Sequence, residues 1–120
     1  DVAFPRRLFA GADALLVPSH FEPCGLAPLN ALRFGTVPVA HATGGLLENL
    51  ADYDPTTGAG NALLYRNDSS AALWDALGRA GALFRDKTAW SQPVRNAMRT
   101  VFSWETSAHV LDGLYHRVNA

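Results

Sequence analysis

Three short apolar runs, each closed by a turn and followed by a new local pattern, constrain this chain more than any other feature. The first, Ala14-Leu15-Leu16-Val17, ends at Pro18-Ser19. An unbroken apolar run of that length is the pattern of a parallel strand covered on both faces. Val37-Pro38-Val39-Ala40 and Ala62-Leu63-Leu64-Tyr65 repeat it. A loop over 20–25 leads from the first run into a helix over 26–34, which Gly35 stops, and Thr43-Gly44-Gly45 is a strand-to-helix turn opening a second helix over 46–51. This β-α-β-α order predicts an α/β fold, the latter half of a Rossmann-like parallel sheet rather than a closed one.

The flanking segments are helical in pattern. Residues 4–12 resemble the last turns of an amphipathic helix, with Leu8 and Phe9 opposed to Arg6 and Arg7, and Gly11 is a plausible C-terminal cap. Asp1 to Arg7 reads like the middle of a helix, which leads us to expect further chain upstream. Residues 52–60 lack apolar periodicity and read as a surface loop. Asn67, Asp68, Ser69 and Ser70 are N-cap candidates for a helix carrying Leu73, Leu77, Ala80 and Phe84 at helical spacing. Helices over 87–101 and 104–118 follow, and Pro93 is expected to break or restart the first of them. Trp74, Trp90 and Trp104 fall in helical patterns and read as core. The chain thus divides into a half sheet over 1–66 and terminal helices over 67–120, both parts of one incomplete domain. Half a sheet leaves an exposed edge and an exposed apolar face, so the isolated chain is expected to be marginally stable or aggregation-prone.

Composition narrows the partner. The chain has 120 residues, enough for one small domain, and is 48% apolar with a formal charge of -1. That balance disfavours a disordered tail and a nucleic-acid binder that works by neutralising phosphates. Arg outnumbers Lys nine to one, but the Arg residues are scattered and form no basic site. Cys24 is the lone cysteine, and no Cys and His set stands at zinc spacing, so the cytoplasm is the expected compartment and no metal is expected. Neither a membrane span nor a signal peptide is legible.

In open parallel sheets, ligands sit beyond the carboxyl ends of the strands. The loop after Val17 reads Pro18-Ser19-His20-Phe21-Glu22-Pro23-Cys24-Gly25-Leu26, a carboxylate followed by proline and glycine at a helix N-terminus. Free N–H groups at Cys24, Gly25 and Leu26 could bind hydroxyls or a phosphate, aided by the helix dipole, while Glu22 accepts from sugar hydroxyls. Glu22 and Ser19 acting simply as helix caps is the equal alternative. A helix N-terminus lowers a thiol pKa, but no His-plus-carboxylate pattern marks a base for Cys24 as a nucleophile. His20, His41, His109 and His116 default to surface or packing roles, and Glu48 reads as a capping carboxylate.

Ser19-His20-Phe21-Glu22-Pro23-Cys24-Gly25-Leu26, then Phe34-Gly35-Thr36-Val37-Pro38, then Thr43-Gly44-Gly45-Leu46, resembles the bacterial glycogen synthase and plant starch synthase family. Phe102-Ser103-Trp104 and Leu114-Tyr115 are similar to that family's terminal helices, so the resemblance covers essentially the whole chain. A larger set of retaining glycosyltransferases has a second Glu where Asn30 stands, which favours the glycogen synthase branch. The resemblance implies a GT-B fold of two Rossmann-like domains, this chain being the latter part of the second. It also implies glucose transfer from ADP-glucose, or UDP-glucose, to the non-reducing end of an α-1,4-glucan, with retention and without a metal or cofactor. In such enzymes the residue matching Glu22 binds the donor sugar, the amides matching Cys24, Gly25 and Leu26 line the sugar and distal phosphate, and those matching Thr43, Gly44 and Gly45 lie near the donor phosphates. Further family elements, an Arg and Lys pair for the pyrophosphate and a Lys-x-Gly-Gly loop with the acceptor-binding residues, would lie in a preceding N-terminal domain, so the chain alone is expected to be inactive. The competing readings are a non-catalytic module that binds a nucleotide sugar or a glucan, and a structural half domain.

Overall fold

The computed structural model describes residues 3–118. The expected run-on of the first helix through Asp1 and Val2 lies outside them, as do the last two residues of the tail. Three parallel strands, β1 (Ala14–Val17), β2 (Val37–His41) and β3 (Leu63–Tyr65), lie in the order β1-β2-β3. The register sets Leu16 beside Val39 and Ala40 beside Leu64. The helices are α1 (Ala3–Gly11), α2 (Leu26–Arg33), α3 (Leu46–Asn49), α4 (Ser70–Arg85), α5 (Lys87–Arg99) and α6 (Trp104–Val118).

Side chains of period 2 divide the core between the two faces of the sheet. Val37, Val39, Leu63 and Tyr65 pack on one face with Ala76 and Ala80 of α4 and Trp90 of α5. Val17, Ala40, Ala62 and Leu64 pack on the other with Leu32 of α2, Leu46 of α3 and Ala97 of α5. The whole of β2 is buried, as a central parallel strand should be. β1 departs from the expectation of two covered faces, for only Val17 is buried and Leu16 is 46% exposed. It is an edge strand, and the groove beside it, lined by Ala14, Val39, Leu77, Gly81, Phe84 and Trp90, stands open.

Caps account for most boundaries. Gly35 has φ +79, and Gly35 N–H donates to Leu32 O while Thr36 N–H donates to Ala31 O, both at 3.0 Å, which is the Schellman arrangement that ends α2. Ser69 caps α4 by accepting from Ala72 N–H at 3.2 Å, and Asp86 caps α5 by accepting from Thr88 and Ala89 N–H. Gly11 is not the cap expected of it. It is the last residue of α1 without a positive φ, and the buried Thr36 hydroxyl instead meets the carbonyls of Phe9 and Ala12. α3 stops at Asn49, short of the expected 51, because the Asn61 carboxamide accepts from Ala51 N–H at 2.8 Å and Leu50 turns extended. Glu48 makes no cap there, since α3 has no side-chain cap hydrogen bond.

Two further expectations fail for reasons of packing. α5 runs uninterrupted through Pro93, whose ring falls with Trp90 and Ala97 on the buried stripe, so burial offsets the one amide lost from the helix. Trp90 is core as expected, but Trp74 is 77% and Trp104 87% exposed. No residue of α6 is buried, and Val110, Leu111, Leu114 and Tyr115 face outward. Among the described residues, no helix is long and apolar enough to cross a membrane.

Candidate functional site

Because the strands are parallel, their carboxyl ends share one edge of the sheet. There the loop after β1 meets the turn after β2 backbone to backbone. Gly45 N–H donates to Glu22 O at 2.9 Å. A Cβ on Gly44 would fall within 3.0 Å of Glu22 O, and one on Gly45 within 3.0 Å of Pro23 O. Gly44 has φ +51 and Gly25 has φ +78, the left-handed region where a side chain is strained. A Cβ on Gly25 would also strike the Leu46 side chain. The glycines are therefore required here by space, and at Gly44 and Gly25 also by conformation.

The approach fixes the Glu22 side chain. One carboxylate oxygen, Oε1, accepts from Gly25 N–H at 3.0 Å, at the N-cap position of α2. Of the three amides expected to be free, that of Gly25 is therefore engaged within the protein. Capping and ligand binding are not exclusive, because Oε2 has no protein partner among the described residues and Glu22 is half-buried. The N–H groups of Cys24 and Leu26 likewise meet no protein acceptor among the described residues, and both residues are exposed. Pro28, fully buried, lies in the first turn of α2, where its missing N–H costs little. Leu29 N–H closes the helix onto Gly25 O at 3.1 Å. The result is a patch with two free amides at the positive end of a helix and one free carboxylate oxygen beside them.

Thr43, Gly44 and Gly45 are half-buried and adjoin this patch, with Leu46 N–H bonded to Thr43 O at 3.1 Å. Phe21 is exposed, and its ring lies 3.2 Å from where a Gly44 Cβ would stand. Cys24 is an exposed free thiol, and among the described residues no imidazole or carboxylate side chain is hydrogen-bonded to it. No group of three or more His, Cys, Asp or Glu among the described residues could hold a metal ion.

Surface or packing is the default reading of His41 from the sequence. His41 sits where β2 leaves the sheet, with Nδ1 2.9 Å from Ser19 O and Nε2 3.3 Å from Arg66 O. Its ring stacks on Tyr65, whose phenol pKa is raised first by burial and then by the Asp68 charge. His20 pairs with Asp68 nearby. A polar residue ending an apolar strand, at the edge where ligands bind, is a signal for His41 in the sequence.

The sequence is 46% identical over 109 residues to the glycogen synthase of Desulforudis audaxviator, covering 90% of this chain and 22% of that protein. It is 40% identical over 117 residues to the glycogen synthase of Koribacter versatilis, covering 98% of this chain and 24% of that one. The chain thus spans about a quarter of the length of the curated relatives it matches. Among solved structures, the catalytic domain of starch synthase IV from Arabidopsis thaliana, bound to ADP and acarbose, superposes with a TM-score of 0.85 at 35% identity, covering 98% of this chain and 24% of that one. The α/β fold is thereby that of a GT-B glycosyltransferase C-terminal fragment. Residues 4–81 match the family described as Glycosyl transferases group 1, and the chain belongs to that family.

Proposed function

We propose that the protein carrying this chain is a retaining glucosyltransferase that extends an α-1,4-glucan from ADP-glucose, as in glycogen or starch synthesis. The observation that carries the reading is the packing of the 18–25 loop on the Thr43–Gly45 turn. It leaves one Glu22 oxygen and the amides of Cys24 and Leu26 open at the carboxyl edge of a parallel sheet. The relatives named glycogen synthase, and the starch synthase structure bound to ADP and acarbose, support it.

Departure of a nucleoside diphosphate leaves positive charge on the sugar ring and negative charge on the phosphate. In this reading the N-terminus of α2 stabilises the phosphate through the Cys24 and Leu26 amides. Glu22, held by Gly25 N–H, orients the donor sugar by accepting from its hydroxyls. Thr43, Gly44 and Gly45 lie against the donor phosphates. No metal ion or cofactor enters the scheme. The remaining donor and acceptor contacts come from a preceding domain, so the 120-residue chain by itself does not turn over. With a lone cysteine and this chemistry, the cytoplasm is the proposed compartment.

The test is glucose incorporation into an α-1,4-glucan by the full-length protein, offered ADP-glucose and UDP-glucose side by side. Transfer with a preference for ADP-glucose is expected. Binding of either donor with no transfer would instead favour a non-catalytic nucleotide-sugar module.

A further inference from the structure

The 18–25 loop is held near each of its ends. At its far end Gly45 N–H grips Glu22 O, at 2.9 Å. At its near end the hold is His41, which is 7% exposed and spans from Ser19 O at 2.9 Å to Arg66 O at 3.3 Å. Ser19 lies three residues before Glu22, and Arg66 directly follows β3. Both partners are carbonyl oxygens, so a neutral imidazole donates to one of them, and the shorter contact, to Ser19 O, makes the ring a strut from β2 to the loop after β1, with its face set by Tyr65, the ring centroids 5.2 Å apart and the planes 21° from parallel. His20 and Asp68 make an exposed tie from the same loop to the segment after β3.

We propose that His41 is a positioning residue of the donor site, setting through Ser19 the place of the Glu22 carboxylate. The proposal rests on the glucosyltransferase reading above. Loss of the strut leaves Glu22 anchored by Gly45 and by its bond to Gly25, with only the exposed His20–Asp68 pair still tying the Ser19-His20-Phe21 limb. A ring that merely filled space would be replaced without consequence by another flat ring, whereas a strut needs its nitrogens. A neutral imidazole donates through one nitrogen, so a side chain with an N–H donor can restore part of the hold.

The experiment uses the full-length protein with His41→Phe, which keeps a ring beside Tyr65 but removes the ring nitrogens, and His41→Gln, which keeps a donor. Affinities for ADP-glucose and for ADP are measured by calorimetry, with hydrogen exchange of the loop peptide followed by mass spectrometry. Expected for His41→Phe is a loss of about fivefold or more in ADP-glucose affinity, from the bond lost, with ADP binding unchanged because ADP carries no glucosyl group for Glu22 to hold. His41→Gln should recover part of the loss, and in a Glu22→Ala background His41→Phe should add nothing. Loop exchange should rise in His41→Phe while the rest of the protein keeps its protection. Equal weakening of ADP and ADP-glucose, full additivity with Glu22→Ala, or unchanged loop exchange would each overturn the proposal. A wild-type protein that binds no ADP-glucose would defeat the glucosyltransferase reading instead, and the exchange measurement would still decide whether His41 holds the loop.

Discussion

Gly45→Ala is the sharpest probe of the contact between the two loops, because Gly45 has φ -65 and ψ -12, a conformation alanine adopts freely. Any cost must therefore come from space. The new methyl would fall within 3.0 Å of Pro23 O and 3.1 Å from the Cys24 Cα. An ordinary carbon-to-oxygen approach is about 3.3 Å or more, so the loop and the turn must separate by several tenths of an ångström. The hydrogen bond from Gly45 N–H to Glu22 O, now 2.9 Å, lengthens with them. Losing that bond costs about 1 kcal/mol and the overpacking about 1–3 kcal/mol, while the reduced freedom of the unfolded chain returns about 0.4–1 kcal/mol, for a net loss of about 2 kcal/mol. Thermal melting of the full-length protein should drop by several degrees, and glucose transfer should fall with it as Glu22 shifts. Gly78→Ala is the control: nothing lies within 4 Å of its Cβ position, and in an exposed helical site the change should stabilise by about 0.5–1 kcal/mol. A Gly45→Ala protein as stable and active as the parent would show that the loops do not pack as described.

Thr36→Val keeps shape but removes the hydroxyl that meets the Phe9 and Ala12 carbonyls, and should destabilise by about 1–2 kcal/mol in a denaturant melt. Asp54 titrates below its ordinary value, chiefly because the Thr56 hydroxyl and amide bond its carboxylate, with Thr57 adding to this. The stability this lends the turn is complete above the ordinary carboxylate pKa and is lost as pH falls through the lowered one, so Thr56→Val should move the Asp54 midpoint upward in an NMR titration. The isolated 120-residue chain should melt broadly or bind a hydrophobic dye, given the exposed Leu16, Trp104, Val110 and Leu114, and a sharp cooperative melt of a monomer would contradict this.

Much of the fold was legible because its signals are local. An apolar run ending in Pro18-Ser19 gave β1 to the residue, and a glycine with φ +79 stopped α2 where the pattern broke. Burial was less legible, since periodicity finds a helix face without saying what the face meets. The apolar positions of α6 and Trp74 on α4 stay exposed, and β1 has one open face. Pro93 looked like a break because sequence shows the missing amide and hides the buried stripe that compensates for it. At the site, motif spacing singled out Glu22 and the two glycine turns, but the partner of each polar group depends on how the loops dock. Hence the capture of Gly25 N–H by Glu22 and the bridge made by His41 across segments far apart in sequence became visible only in three dimensions.

The central claim is that one turn offers the Glu22 carboxylate and the Cys24 and Leu26 amides to an activated glucose. Its most direct test is a crystal structure of the full-length protein with an unreactive ADP-glucose analogue bound. The expected result places sugar hydroxyls within hydrogen-bond reach of Glu22 and the distal phosphate on the Cys24 and Leu26 amides. An analogue bound elsewhere, with that turn covered by other parts of the protein, would contradict the claim.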